Sequence, residues 1–386
     1  MRIVHVITRL IVGGAQENTL LSCEGQHAMG HDVTLITGPS LGPEGTQMDR
    51  ALAGGYRVIE LEEMQRAVLP LRDWATYRHL VRLFREIRPD VVHTHSSKAG
   101  IIARWAAHKA GVPAVIHTIH GLAFTASSSA AVNSFYRWAE KITAPISTRI
   151  VCVADAMREQ SLASRIGKPQ QYVTVYSGME TQAFVAPPVE REAIRASLGI
   201  GAEDVIVGTV ARLFELKGHD DLLEMAPELG REFPKLRFLW VGDGILRPRF
   251  EEQIRKMGLQ DRFVLTGLVH PSRIPELVNA MDLLVHPSRR EGLARAIVQG
   301  SAAGKPVIAY DIDGNREALV PDKTGFLIKP FDTLQLRSAL SVLLSDASVR
   351  AQMGLAGREF VVERFSTRRM VESLDRLYKQ CLGNAG

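Results

Sequence analysis

Cysteine is scarce in this chain. Its 386 residues include three, Cys23, Cys152 and Cys381, an odd number at wide spacing with no CxxC pair. That argues against a disulfide framework and fits a reducing, cytoplasmic compartment. Long apolar runs are missing as well. Stretches such as Asp282-Leu-Leu-Val285 are far too short to span a bilayer. Met1–Thr8 is apolar, but Val12-Gly-Gly-Ala15 follows with no small-residue cleavage site, so this end reads as a first β-strand and not as a signal peptide. A strong charge excess is also lacking. The formal charge is +5, from 47 basic and 42 acidic residues. Residues 1–186 carry 19 Lys/Arg against 15 Asp/Glu, and the remainder 28 against 27. So mild and scattered an excess does not suit a nucleic-acid reader. It suits an anionic small molecule or the headgroup side of a membrane. There is no low-complexity tract and no repeat shorter than a domain.

What is present is globular. Hydrophobic residues make up 46% and charged residues 23%, and the length predicts two to three domains at roughly 150 residues each. Short β-rich runs alternate with amphipathic ones. The pattern predicts strands at 2–8, 32–37, 90–95, 114–118 and 149–153, with helices at 16–29, 73–87, 98–110 and 134–144 between them. In the 73–87 segment Trp74, Tyr77, Leu80, Val81, Phe84 and Ile87 repeat at the helical period. The run 184–190, with Pro187-Pro188, reads as a linker. A second series follows, with strands at 206–212, 237–241, 263–266, 283–286 and 306–310 and helices at 218–233, 247–257, 274–280 and 293–303. Residues 366–382 form a helical pattern with no strand partner. Such βαβ alternation implies parallel sheets covered on both faces. The expectation is an α/β chain of two Rossmann-like domains, 1–186 and 187–365, with a terminal segment 366–386.

In open parallel sheets ligands bind beyond the carboxyl ends of the strands, and the informative residues fall there. Gly13-Gly14-Ala15-Gln16 joins the first strand to the first helix. Glycines allow close backbone approach, and a helix N-terminus offers N–H groups to an anion. The segment is not GxGxxG, so a dinucleotide cofactor is not indicated; a plain βα turn is the simpler account. Arg212 closes a strand and Lys217 opens a helix, which together can clamp a diphosphate, against the ordinary fate of two solvated surface charges. Glu291 follows the buried strand 283–286, and Gly292 and Leu293 are expected to begin the next helix. Gln299 lies eight residues on, expected on a similar face, so that the two side chains could grip hydroxyls on two parts of one ligand. The plainer reading makes Glu291 a charge at a helix N-terminus and Gln299 an exposed helix former.

Residues 287–330 (Ser-Arg-Arg-Glu291-Gly, Gly304-Lys-Pro-Val-Ile, Gly314-Asn-Arg-Glu317 and Gly325-Phe-Leu-Ile-Lys-Pro330) resemble the signature of the family 4 (group 1) retaining, nucleotide-sugar-dependent glycosyltransferases of GT-B fold. Gly13-Gly14-Ala15, Thr118-Ile-His120-Gly121, the Arg212/Lys217 pair and Val241-Gly242-Asp-Gly244 stand in the order that family has them, so the resemblance spans essentially the whole chain. It implies two Rossmann-like domains facing a cleft, with the C-terminal helix crossing back to pack on the first. It implies that Glu291, as the first Glu of the E-x7-E motif, holds the donor sugar's hydroxyls. Arg212 and Lys217 neutralise the donor diphosphate, the Gly14 N–H approaches the β-phosphate, and Gly13 belongs with it to the donor-binding set. Gly242 and Gly244 belong to the donor-binding set, His120 faces the donor sugar, and Gly292, Leu293 and Ala294 present backbone groups to sugar or phosphate. The sequence departs from the family at Gln299, where the second Glu of the motif would fall. Gln can still accept from ribose hydroxyls and also donate. Arg295 replaces a residue that is more often small or apolar.

His93-Thr-His-Ser-Ser-Lys-Ala-Gly100 and Val115–Phe124 resemble members that extend polyprenyl-diphosphate-linked glycans. This implies a UDP-linked sugar as donor, a glycan or lipid-linked acceptor and peripheral contact with the inner face of the cytoplasmic membrane. The mild basic excess of the first half and the amphipathic 73–88 segment, with Arg78, Arg82 and Arg85, agree with that contact; an ordinary Rossmann helix is the simpler account of the segment. His93, His95, His117 and His120 could form a zinc set, but no Cys joins them, and cationic side chains replace metal in this fold; neither metal nor other cofactor is expected. Two other readings stay open, a catalytically silent scaffold, suggested by Gln299, and a nucleotide-sugar 2-epimerase.

Overall fold

The computed structural model describes residues 1–40, 45–124 and 129–383. Two compact units form: Met1–Met179 with Thr367–Gly386, and Glu180–Ser366.

The first unit is built on seven strands, β1 (Arg2–Arg9), β2 (Asp32–Gly38), β3 (Arg57–Glu60), β4 (Val91–His95), β5 (Ala114–Ile119), β6 (Arg149–Cys152) and β7 (Tyr172–Thr174). They pair in parallel in the order β3-β2-β1-β4-β5-β6-β7. The central strands are buried on both faces, which is why they read as nearly continuous apolar runs. Val4, Val6 and Val92 pack with the Pro70–Ile87 and Ser97–Ala110 helices on one face. Ile3 and Ile116 pack with Met370, Leu374 and Tyr378 of the Thr367–Gly383 helix on the other. The C-terminal helix is therefore part of the first unit's core.

The second unit repeats the plan. Strands β8 (Val205–Val210), β9 (Leu236–Val241), β10 (Phe263–Leu265), β11 (Leu283–His286), β12 (Val307–Tyr310) and β13 (Gly325–Ile328) pair in parallel as β10-β9-β8-β11-β12-β13. In each sheet the order reverses beside the first strand, between β1 and β4 and between β8 and β11. This is the switch point at which a crevice opens over the strand ends.

The boundaries differ from the expected 186/187 and 365/366. Residues 184–190 are not a free linker: Phe184 is buried, and Thr181 donates its hydroxyl to the Val362 carbonyl. Arg191 and Arg195 then both pair with Asp282, at 2.6 and 2.7 Å, so the chain from Glu180 on belongs to the second unit. At the other end Thr367 donates its N–H to the Met179 carbonyl. Strands β3, β7 and β13 and the Thr333–Ser345 and Ala347–Val361 helices were not anticipated. β3 is a short, half-exposed edge strand without an apolar run. β13 begins at Gly325 (φ 151°), where a Cβ would lie 1.9 Å from the Val307 carbonyl oxygen, so its glycine marks close strand contact and not a break. No helix among the described residues is long and apolar enough to cross a membrane.

Candidate active site

In the second unit the loops after β8 and β11 leave neighbouring strands and are locked together. Gly218 adopts a left-handed φ of 70°, and a Cβ there would lie 2.0 Å from the Pro287 carbonyl oxygen. Only glycine satisfies both conditions. Arg289 donates its N–H to the Leu216 carbonyl at 2.9 Å, and the Ser288 hydroxyl donates to the same carbonyl at 3.2 Å.

This closure brings two of the expected residues into contact. Lys217 Nζ lies 2.5 Å from Glu291 Oε1. His286, the last residue of β11, points Nε2 at the same oxygen from 2.9 Å. A carboxylate only accepts, so His286 carries its proton on Nε2; its Nδ1 is buried without a partner. The Glu291 N–H donates to Asp313 Oδ2 at 2.8 Å, which ties in the loop after β12. Burial pushes the Glu291 carboxyl up, but the Lys217 ammonium and the His286 hydrogen bond outweigh it and hold it well below the usual carboxylate range. Glu291 is thus a fixed anion whose second oxygen, Oε2, makes no hydrogen bond to a described residue.

Arg212 is exposed and lies over the Phe214 ring, 4.9 Å from its centroid. It has no carboxylate partner among the described residues. The expected cation pair therefore divides into one open guanidinium and one ammonium already engaged by Glu291. Gly242 and Gly244 have a packing reason of their own. A Cβ at either would lie 2.2 Å from the Ala211 carbonyl oxygen or 2.4 Å from that of Leu213, so these glycines seat the loop that carries Arg212.

The helix after Glu291 spans Arg295–Ala302, with Ala294 as its N-cap, instead of starting at Gly292. Glu291 therefore lies in the preceding loop, and the stacking of Glu291 with Gln299 on one helix face does not form. Asp313 holds Glu291, and the Gly314 N–H bonds the Gly292 carbonyl at 3.1 Å; these contacts keep the segment extended until Ala294. The N–H groups of Gly292, Leu293 and Ala294 make no hydrogen bond to a described residue, which leaves three donors open beside the helix N-terminus. Gln299 is half-buried on the second turn of this helix, and its side-chain amide likewise bonds no described residue.

In the first unit, Gly13 is the N-cap of the Gly14–Ala28 helix. His120 follows β5 and is half-buried, with Nε2 3.0 Å from His95 Nδ1. Of the four histidines considered as a zinc set, His117 stands apart. It pairs in register with Thr94 and bonds the Thr94 hydroxyl at 2.9 Å, so it faces away from His93 and His95. The close buried trio is His5, His93 and His95. Hydrogen bonds occupy both nitrogens of each ring. Sequence reasoning passed over His5 and His286. Each is a histidine on a buried strand, a position that normally takes an apolar residue, and that was the available signal.

Residues 190–360 match the family model described as glycosyl transferases group 1, and residues 13–178 match the glycosyl transferase 4-like domain. The chain belongs to the group 1 glycosyl transferases. Its relatives include the Escherichia coli UDP-Gal:alpha-D-GlcNAc-diphosphoundecaprenol alpha-1,3-galactosyltransferase, 29% identical over 98% of this chain and 96% of that one. Another is the Staphylococcus aureus capsular polysaccharide biosynthesis glycosyltransferase CapM, 24% identical over 83% of this chain and 84% of the relative. Among solved structures, Anabaena HepE in complex with UDP superposes with a TM-score of 0.84 at 19% identity, over 98% of this chain and 100% of that chain. Sucrose-phosphate synthase from Thermosynechococcus elongatus gives 0.84 at 21% identity over the whole of both chains. These group 1 glycosyl transferase sheets have the expected fold class, two parallel Rossmann-like α/β units with GT-B enzymes as structural neighbours.

Proposed function

We propose that this chain is a retaining hexosyl- or N-acetylhexosaminyltransferase that moves a sugar from a UDP-linked donor to a glycan or polyprenyl-diphosphate-linked acceptor in surface-polysaccharide synthesis. The observation that carries the reading is the second unit's cluster at the β8/β11 switch point. A fixed carboxylate with one open oxygen, an open guanidinium and three open N–H groups lie on the loops that follow the neighbouring strands β8 and β11. Anionic Glu291 is suited to accept hydrogen bonds from sugar hydroxyls through Oε2. Arg212, Lys217 and the N–H groups of 292–294 are suited to the negative charge that grows on a leaving β-phosphate, an electrostatic contribution. When a donor phosphate competes for Lys217, the ammonium bridges it to Glu291 and couples sugar orientation to phosphate binding. Gln299 keeps an unengaged amide for the ribose. Gly13, Gly14 and His120 take the donor-side roles that the family resemblance assigns them, and Gly242 and Gly244 support the Arg212 loop.

Because cationic side chains do this work, the reaction in this reading needs no metal. The acceptor hydroxyl attacks the anomeric carbon on the face the diphosphate leaves, and its proton passes to the leaving phosphate. The E. coli and S. aureus relatives, named for a diphosphoundecaprenol acceptor and for capsular polysaccharide, support the acceptor class. The Ala130–Thr143 helix supports peripheral contact with the inner face of the cytoplasmic membrane. Val132, Phe135, Trp138 and Ile142 recur at helical spacing and are all exposed, with Arg137 and Lys141 on the same helix. Such an aromatic and basic surface suits an anionic bilayer interface.

The test is a panel of nucleotide sugars with EDTA present, followed by thermal shift and by release of nucleotide. A UDP-sugar that stabilises the protein and is turned over supports the reading. Arg212→Ala, which removes no packing beyond one ring contact, is expected to cut transfer by about 100-fold or more with an unchanged melting temperature. Unchanged transfer would remove the phosphate assignment, and no binding by any nucleotide sugar would leave the silent scaffold. Sedimentation with anionic vesicles, lost on Phe135→Ser with Trp138→Ser, tests the membrane face.

A further inference from the structure

The buried face of the first sheet carries a continuous chain of hydrogen bonds that reaches His120. His120 Nε2 is 3.0 Å from His95 Nδ1. His95 Nε2 is 2.9 Å from His5 Nδ1, and His5 Nε2 is 2.8 Å from Gln26 Oε1. Gln26 Nε2 donates to the Tyr378 hydroxyl at 3.2 Å. That hydroxyl lies 2.5 Å from His93 Nδ1, and His93 Nε2 is 2.6 Å from the Thr118 hydroxyl. The members come from β1, β4, β5, the Gly14–Ala28 helix and the Thr367–Gly383 helix. His5, His93 and His95 are fully buried, and desolvation keeps each ring neutral.

A neutral imidazole has one donor and one acceptor nitrogen, so such a chain has a direction. The Gln26 oxygen can only accept, which places the His5 proton on Nε2 and leaves Nδ1 as an acceptor. His95 must then donate from Nε2 and accept at Nδ1, and His120 must donate from Nε2. On the other side the Gln26 amide donates to Tyr378, Tyr378 donates to His93, and His93 donates to Thr118. Every bond is satisfied in one sense. Turning the Gln26 amide over reverses all of them and gives His120 the opposite tautomer.

We infer that His95, His5, Gln26 and Tyr378 are positioning residues that couple the tautomer of His120 to the orientation of the Gln26 amide, which as it stands here places the His120 proton on Nε2 and leaves Nδ1 as the basic nitrogen. The placement of His120 at the donor sugar belongs to the proposed function; the chain itself does not depend on it. In that site a His120 of fixed tautomer would present the same face at every turnover. Tyr378 extends the control to the C-terminal helix, roughly 260 residues further along the chain than His120.

The test reads the tautomer directly, by long-range proton–nitrogen NMR correlation of the full chain labelled in histidine and assigned with His120→Gln. The wild type is expected to show His120 protonated at Nε2 alone near neutral pH. Gln26→Leu, which touches neither His120 nor its neighbour His95, should bring in the Nδ1–H form. Tyr378→Phe removes one hydroxyl, keeps the ring and should also mix the tautomers; it serves if Gln26→Leu does not fold. In the transfer assay Gln26→Leu should lower kcat by about tenfold, with KM for the donor little changed. A wild-type His120 protonated on Nδ1, or a His120 spectrum unmoved by Gln26→Leu and Tyr378→Phe, would overturn the inference. Since the spectrum needs no substrate, a chain that behaves as described without any transfer activity would count against the function alone.

Discussion

Replacing Glu291 with Gln isolates the charge at the centre of the second unit's site. The amide keeps an acceptor oxygen for His286, so the shape of the loop survives while the Lys217 ammonium loses its counter-ion. Breaking a fully buried pair costs about 3–5 kcal/mol. Here the Lys217 and Glu291 side chains keep 21% and 15% of their exposure, and water takes up part of that loss. A destabilisation of about 2 kcal/mol follows, which for a unit of this size lowers its melting temperature by roughly 4–8 °C. The pH dependence has a defined sign. The folded carboxyl is held below its ordinary value of 4.5, so its contribution is complete above that value and is lost as the pH falls towards the folded pKa. The gap between wild type and Glu291→Gln, measured by calorimetry at pH 7 and again near pH 4, should therefore narrow on acidification. The same variant should lose about 100-fold in transfer. Equal melting temperatures at pH 7, or a gap that widens in acid, would refute the account of Glu291 as an anion held by Lys217 and His286.

Gly218→Ala should be worse than Glu291→Gln for both stability and transfer. Its methyl group would meet the Pro287 carbonyl and separate the loops that bring Lys217 to Glu291, and a crystal structure with these loops unmoved would refute this. Acid should weaken the first unit selectively. His5, held at about 4, and His93, His95 and His117 are kept neutral by burial. Stability is therefore full above their ordinary value of 6.5 and falls below it, by about 1.4 kcal/mol per pH unit for each. Hydrogen exchange corrected for intrinsic rates should show β1, β4 and β5 losing protection at pH 5.5 relative to pH 7, and equal protection would contradict the burial argument. Gln299→Glu should change donor KM and leave kcat within about twofold, since its amide is unengaged; an altered kcat would place this side chain nearer the chemistry than the ribose.

Much of this protein was legible in the linear chain. The alternation of short apolar runs with 3.6-residue patterns requires parallel sheets, because only strands covered on both faces carry continuous hydrophobic runs. Residues at the ends of β8 and β11, Arg212, Lys217 and Glu291, could be singled out because polar groups directly after buried strands have few structural reasons to be there. What a one-dimensional pattern could not give was which strands lie side by side, and hence which loop meets which. Lys217 and Glu291 are 74 positions apart, and they touch because β8 neighbours β11 and Gly218 lets their loops close. The same limit hid the helix start at Arg295, which is set by Asp313 and Gly314 from the loop after β12. It also hid the role of His5, whose hydrogen-bond partners come from β4 and from the Gly14–Ala28 helix. Local propensity determined the elements and their edges. Long-range packing, through glycine contacts and buried hydrogen bonds, decided which charges pair and which nitrogens carry protons.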